Sequence, residues 1–321
     1  MTNDAWVFVM MKIGALDVNW WGLPLDARLR RIAELGFEGV EFWLTLRELG
    51  FSESVVITEW PEKHTIAREY LTPRRFAKIV EEAGLEAQSF GQFNILGPQP
   101  STLAPTIVVT GKEMEERLRE IKGLMEFAAE ADVKTLICDS GGDPDKPEQW
   151  KPFLEAMNDL TDHAEKTGVV LAMENTPQNL VADDDGLLRL MKEIPSKALR
   201  VHFDPANLHL CPWRGPPANK DVPKAIKKLK KYIVSAHAKD GVWHYPKLSE
   251  PPDVYFRSCP VMGQGTTPWQ QCIEAFKEIG YNGYLIVEYF APGRSTRPQD
   301  AEKGMIENKK YLENLMAKIY K

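Results

Sequence analysis

Four side chains that can bind a hard metal ion or move a proton stand at the ends of apolar runs in the second half of the chain. Glu174 closes VVLAME, Asp204 closes LRVHFD, His237 lies in IVSAHAK and Glu288 closes GYLIVE. Each follows apolar residues of strand-like length, so each is delivered to the end of a buried strand. On adjacent parallel strands the four ends converge above the core. Three carboxylates and one imidazole form a hard, mostly oxygen donor set. That set suits Mn²⁺, Mg²⁺ or Co²⁺ better than a structural zinc. Packed together without a cation, the carboxylates would repel and shift their own pKa values. One divalent ion is therefore expected, Mn²⁺ first, with Mg²⁺ or Co²⁺ as alternatives.

Positioning those residues requires a repeated strand–helix rhythm, and the chain carries one along its 321 residues. Strands are expected at Val7–Ile13, Gly39–Trp43, Glu86–Phe93, Thr135–Asp139, Val169–Glu174, Leu199–Asp204, Ile233–Lys239 and Gly283–Glu288. Between them lie stretches of helical periodicity, several closed by Gly36, Gly84, Gly168 and Gly280, as helix punctuation predicts. Eight such units imply parallel strands with right-handed crossovers. The expected fold is therefore an α/β, (β/α)8 TIM barrel, a single domain over residues 1–321. A doubly wound sheet would want a glycine-rich phosphate turn, and neither GxGxxG nor GxxxxGK[ST] occurs. Two longer loops, Gly50–Leu71 and Gly241–Gly265, would lie on the catalytic face, where loops set substrate choice.

Composition narrows the function classes. The chain is 43% hydrophobic and 27% charged, with a net charge of −6. These values fit a folded protein and argue against a nucleic-acid partner, which usually leaves a basic footprint. The basic run KAIKKLKK at Lys224–Lys231 reads as a solvated helix end. Four cysteines with no CxxC pair fit a reducing cytoplasm. No apolar run approaches a membrane span. Ala5–Met11 reads as the start of the first strand, not as a signal peptide.

Further candidates surround the four strand ends. Trp20 and Trp21 after the first strand, and Trp43 at the end of the second, could stack on the C–H face of a substrate. Asp139 ends the fourth strand and could accept a substrate hydroxyl or act as a second base. Lys239 lies two residues after His237 and so on the same strand face, where it could bind a substrate oxygen. His202 precedes Asp204 by two residues and reads as a core histidine. Arg257 could reach over the site from its long loop.

The motifs ENTP, FDPANL, HAKDG, GQG followed by Trp269, and GYNGYLIVEY resemble the xylose isomerase-like barrel superfamily. This group holds sugar isomerases and epimerases, inosose dehydratases and the type IV apurinic endonucleases. The resemblance implies that Glu174, Asp204, His237 and Glu288 hold one divalent ion, and that Glu174 and Glu288 double as the acid/base pair on opposite faces of the substrate. Where many members carry a histidine three residues after the aspartate, this chain has Asn207, which can donate a hydrogen bond to a substrate oxygen. Such a site polarises a carbonyl and makes the neighbouring C–H acidic. A metal-dependent sugar isomerase or epimerase is the expected function. The alternative is a lyase on a keto-sugar, either an inosose-type dehydratase or the catalytic subunit of a 3-keto-glycoside C-deglycosidase. The expected partner is a small sugar or keto-sugar. The expected assembly is a homo-oligomer, with the aromatic loop Gly241–Gly265 as a surface for a small partner subunit.

Overall fold

In a computed structural model the protein is described over residues 10–20, 23–43, 71–95, 110–177, 179–212, 218–244, 256–289 and 298–321. Trp21, His64, Tyr245 and nearly all of the expected loop Gly50–Leu71 lie outside these residues. The strands are β1 (Lys12–Leu16), β2 (Gly39–Trp43), β3 (Glu86–Asn94), β4 (Thr135–Asp139), β5 (Val170–Glu174), β6 (Leu199–Phe203), β7 (Ile233–Ala238), β8 (Val242–His244), β9 (Phe256–Ser258) and β10 (Tyr284–Val287). The helices are α1 (Leu25–Glu34), α2 (Pro73–Glu82), α3 (Gly111–Glu130), α4 (Trp150–Thr167), α5 (Asp184–Glu193), α6 (Pro205–His209), α7 (Val222–Lys228), α8 (Trp269–Glu278) and α9 (Pro298–Ile319).

Eight strands close in the order β1-β10-β7-β6-β5-β4-β3-β2, every pair parallel. The expected (β/α)8 barrel is therefore the observed fold, a single barrel domain. Seven of the expected strands agree with the observed ones to within a residue at each end, and two stretches differ more. The first strand runs over Lys12–Leu16 and not Val7–Ile13, of which Val7–Val9 lie outside the described residues. The apolar run there extends beyond the pairing, which is set by the register of Gly14 against Gly39 and Ile286. Part of Gly241–Gly265, read only as a loop, forms the antiparallel ribbon β8–β9.

The pleat sends alternate residues to opposite faces of the barrel wall. Outward residues meet the helices: Phe42 of β2 and Phe90 of β3 pack against Phe76 of α2 and Phe127 of α3, with ring centroids 4.9 Å apart for Phe42–Phe76 and 5.9 Å for Phe90–Phe127. Inward residues fill the barrel. Leu16, Tyr284 and Ile286 form an inner cluster against which Val18 and Trp43 pack. Two glycines make room for it. A Cβ on Gly14 would lie 2.5 Å from Ile286, and one on Gly39 would lie 2.7 Å from the Tyr284 ring. Ala, Ser or larger residues at either place would overpack the barrel. Among the described residues no helix is long and apolar enough to cross a membrane.

Candidate active site

The chain beyond β6 reads Asp-Pro-Ala-Asn, which is a helix start. Asp204 caps α6, its side chain accepting from the Asn207 backbone N–H at 2.8 Å, and Pro205 occupies the first helical turn, where no donor is needed. The cap uses Oδ1 and leaves Oδ2 for other partners. Asn175, directly after Glu174, clasps the Asp204 backbone on both sides. Its Oδ1 accepts from Asp204 N at 3.0 Å and its Nδ2 donates to Asp204 O at 2.9 Å. The ends of β5 and β6 are thus tied together, with Glu174 and Asp204 held beside each other.

The end of β7 is organised by Asp240. This buried carboxylate accepts the backbone N–H groups of Gly241 (2.8 Å), Gly263 (2.8 Å), Gly265 (3.0 Å) and Thr267 (3.1 Å). A Cβ on Gly265 would sit 2.2 Å from Asp240 Oδ1, so the GQG turn needs glycine at that close approach. The indole N–H of Trp269 donates to the Lys239 carbonyl at 3.0 Å, fixing the backbone from which Lys239 projects.

These constraints bring Glu174, Asp204, His237 and Glu288 together. One donor atom from each lies within 4.8 Å of the others, and all four residues are buried. His237 Nδ1 is 2.9 Å from Glu288 Oε2, 3.4 Å from Glu174 Oε1 and 3.6 Å from Asp204 Oδ2. The Lys239 ammonium lies 2.6 Å from Glu288 Oε2 and 2.7 Å from Asp204 Oδ2. Asn207 Nδ2 donates to Glu174 Oε1 at 2.8 Å. Asp139 is buried at the end of β4, accepts a hydrogen bond from the Thr176 hydroxyl, and adds its charge to the field on Glu174.

The donor set passes a physical test for a cation. Glu174 Oε2 is a buried oxygen with no hydrogen-bond partner, while Asp204 Oδ2 and His237 Nδ1 are met only by charged neighbours, Lys239 and Glu288. A buried oxygen left in this way is costly unless something satisfies it. Three carboxylate oxygens and an imidazole nitrogen facing one point fit a divalent ion.

The electrostatics separate the two glutamates. Burial, reinforced by Asp139, pushes Glu174 well above the ordinary carboxylate range against the pull of His237 and Lys239. Burial works in the same direction on Glu288 and Asp204, but Lys239 and His237 overcome it and hold both below their ordinary values. For His237, burial disfavours the charge, yet Glu288, Glu41 and Glu174 outweigh it and raise its pKa well above normal. His202 is pushed well below the usual histidine range by burial and by the neighbouring His237. Its Nδ1 pairs with Ser235 Oγ at 2.7 Å and its ring stands edge-on to His237 with centroids 4.1 Å apart, so it is a neutral packing partner, as expected.

Other expected site residues lie elsewhere. Trp20 is not brought into the cluster: it is buried, with its indole N–H donating to Glu302 of α9 at 3.0 Å. Trp43 is half-buried at the mouth-side end of β2, packed against the inner cluster of Leu16 and Ile286. Of the long loop, Arg257 is placed by its backbone in β9, opposite Trp243.

Reading by strand ends misses one residue central to the site. Glu41 is fully buried, and its Oε1 lies 3.1 Å from His237 Nε2 while its Oε2 accepts from Ser89 Oγ at 3.2 Å. A signal exists, because a carboxylate in GVEFW breaks an otherwise apolar buried strand and must have a partner inside the barrel. Asn175 and Asp240 are missed for another reason: within ENTP and HAKDG they read as ordinary loop residues.

Comparison with known proteins agrees with this architecture. The chain is 24% identical over 293 residues to the fructoselysine 3-epimerase of Escherichia coli O157:H7, covering 87% of this chain and 90% of that protein. A xylose isomerase domain protein from Planctomyces limnophilus superposes with a TM-score of 0.69 at 21% identity, over 97% of this chain and 99% of that one. A xylose isomerase-like TIM barrel protein from Mycobacterium smegmatis, in complex with magnesium, superposes with a TM-score of 0.66 at 16% identity, over 96% and 97% of the two chains. The model for the xylose isomerase-like TIM barrel matches residues 29–315, which covers seven of the eight barrel strands and every clustered side chain, and the chain belongs to that family.

Proposed function

We propose that this protein is a divalent-metal-dependent sugar epimerase or isomerase that works by proton transfer beside a carbonyl. The observation that carries the reading is the buried convergence of Glu174, Asp204, His237 and Glu288 on one point, with Glu174 Oε2 left without a hydrogen-bond partner. Two similarities support it: a sequence relative that is a sugar 3-epimerase and a structural neighbour that holds magnesium. The four residues would hold the ion, Mn²⁺ first because most donors are oxygen. When bound, the ion supplies Lewis acidity toward neighbouring substrate oxygens and lowers the pKa of the C–H beside the carbonyl.

The chain's own residues do the rest. Glu174 and Glu288 form a pair of carboxyl groups whose surroundings push their proton affinities apart, the usual arrangement of an acid and a base. Glu288 takes the substrate proton, and Glu174 returns one to the other face. Asn207 Nδ2 fixes the Glu174 carboxyl group through Oε1. Asn207, Lys239 and Asp139 orient substrate oxygens by hydrogen bonds, and half-buried Trp43 offers an apolar wall for the sugar face. Burial of the whole cluster keeps bulk water from the carbanionic centre.

The test is turnover of keto-sugars by Mn²⁺-loaded protein in D₂O, followed by NMR. Deuterium entering at the carbon next to the carbonyl, with appearance of the epimer or the aldose–ketose isomer, is the expected result. A panel of ketoses, fructosyl amines and keto-glycosides that shows neither exchange nor conversion would overturn the reading.

A further inference from the structure

The cluster of carboxylates already contains a cation supplied by the chain. Lys239 is buried, and its ammonium contacts Asp204 Oδ2 at 2.7 Å and Glu288 Oε2 at 2.6 Å. These are not spare oxygens. Asp204 Oδ1 is committed to the Asn207 N–H, so Oδ2 is the atom through which Asp204 can meet an ion. Glu288 likewise meets both Lys239 and His237 through Oε2. The ammonium therefore holds the same oxygens that the proposed metal would take.

We infer that Lys239 is the resident counter-cation of this site: it holds the Asp204–Glu288 edge in the ion-free protein and gives up those contacts when a divalent ion enters. The inference rests on the proposed metal dependence. Charge supports it: Asp204 and Glu288 each turn one carboxylate oxygen to the same ammonium, and a divalent ion would bring twice its charge to those oxygens. The means of displacement is also built in. The Lys239 carbonyl is held by the Trp269 indole, so the backbone stays while a flexible four-carbon stem swings the ammonium away. Once displaced, the ammonium becomes a donor for a substrate oxygen, so ion loading and substrate recognition are coupled through one side chain.

A lysine that merely pre-orders the ligands would behave in the opposite way. Removing it would then weaken ion binding. Removing a competing charge should instead strengthen it, since unlike charges gain and like charges lose steeply at such short range.

The experiment is calorimetric titration of chelator-stripped wild type and Lys239→Met with MnCl₂, beside melting curves of both ion-free proteins. Wild type should bind about one ion per chain. Lys239→Met should bind roughly ten- to a hundredfold tighter, the scale expected for one like charge removed at close range. It should also melt lower without the ion and recover when saturated with Mn²⁺. If wild type binds and the variant binds equally or more weakly, the counter-cation inference is wrong and the metal reading stands. If neither binds, both fall. Should the variant not fold, reductive methylation of wild type read by mass spectrometry replaces it. Lys239 should be labelled faster with Mn²⁺ than without, and equal or slower labelling overturns the inference.

Discussion

Glu41 and His237 face each other across the inside of the barrel, with Oε1 3.1 Å from Nε2, and this contact turns Nδ1 of the imidazole toward Glu174, Asp204 and Glu288. A carboxylate can only accept here, so Nε2 carries the proton and Nδ1 is left as the nitrogen that can bind an ion. Glu41→Ala is therefore expected to weaken Mn²⁺ binding about 10- to 100-fold, the usual effect of losing a carboxylate behind a metal-binding histidine. Glu41→Gln, which keeps an acceptor oxygen, should lose much less. Calorimetric titration of the two variants checks this, and equal affinities in both would remove Glu41 from the site.

Asp204 joins two roles, cap of α6 and proposed ligand. Asp204→Ala should lose most of the bound metal in elemental analysis after mild dialysis. It should also be destabilised, by about 1 kcal/mol from the lost cap and further from the lost buried partner of Lys239. Asp204→Asn keeps a capping oxygen but not the charge, so it should be destabilised less than Asp204→Ala while ion binding is weakened as much. Full metal retention in both variants would exclude Asp204 as a ligand.

The two proposed proton carriers give a kinetic prediction. Glu174→Gln and Glu288→Gln should each lower kcat at least ~10²-fold, the lower end for general acid–base catalysis. Because both residues are also proposed ligands, metal content must be measured on the same samples. Variants that hold metal and turn over at near wild-type rates would move the base elsewhere, with Asp139 next in line.

Stability should depend on pH in a way that the ion reverses. Glu174 and His237 both have raised pKa values in the folded protein. Groups of this kind contribute stability below their unfolded pKa and lose it as pH rises through the raised folded one. Asp204 and Glu288, held low, contribute stability above their unfolded pKa and lose it only in acid. His202, held low, works the other way up to the ordinary histidine pKa, so the ion-free melting temperature should fall as pH rises from about 7 to 9. With Mn²⁺ the deprotonated forms are the ones that bind, so ion affinity should rise over the same interval. An ion-free melting temperature that climbs with pH there would contradict the arrangement.

Asp240 carries a structural prediction. Asp240→Ala would leave four loop N–H groups without their acceptor and should cost on the order of 3 kcal/mol. The loss should centre on the 262–267 turn, seen as faster hydrogen exchange there. Exchange unchanged at Gly263, Gly265 and Thr267 would show that other groups hold the turn.

Local residue chemistry determines much of this molecule. Pro73 behind Thr72 starts a helix, Gly168 at φ 76° ends one, and Asp204-Pro205 ends a strand and opens a helix. The eightfold rhythm implies a closed parallel barrel because each crossover must be right-handed. The four strand-end ligand candidates are legible because each follows a mostly apolar run of strand length. What sequence cannot supply is distance across the barrel. Glu41 lies 196 residues from His237, in a strand whose sequence shows one misplaced carboxylate but not its partner. Only the closing of β2 toward the far wall shows what it touches. Trp20 and Trp43 read alike as rim aromatics, yet one turn of backbone after β1 buries the first beside Glu302 of α9. The placing of Lys239 between Asp204 and Glu288 is likewise decided by tertiary structure. Period two along a strand says which face a side chain takes, but only the register of neighbouring strands says which charges it meets there.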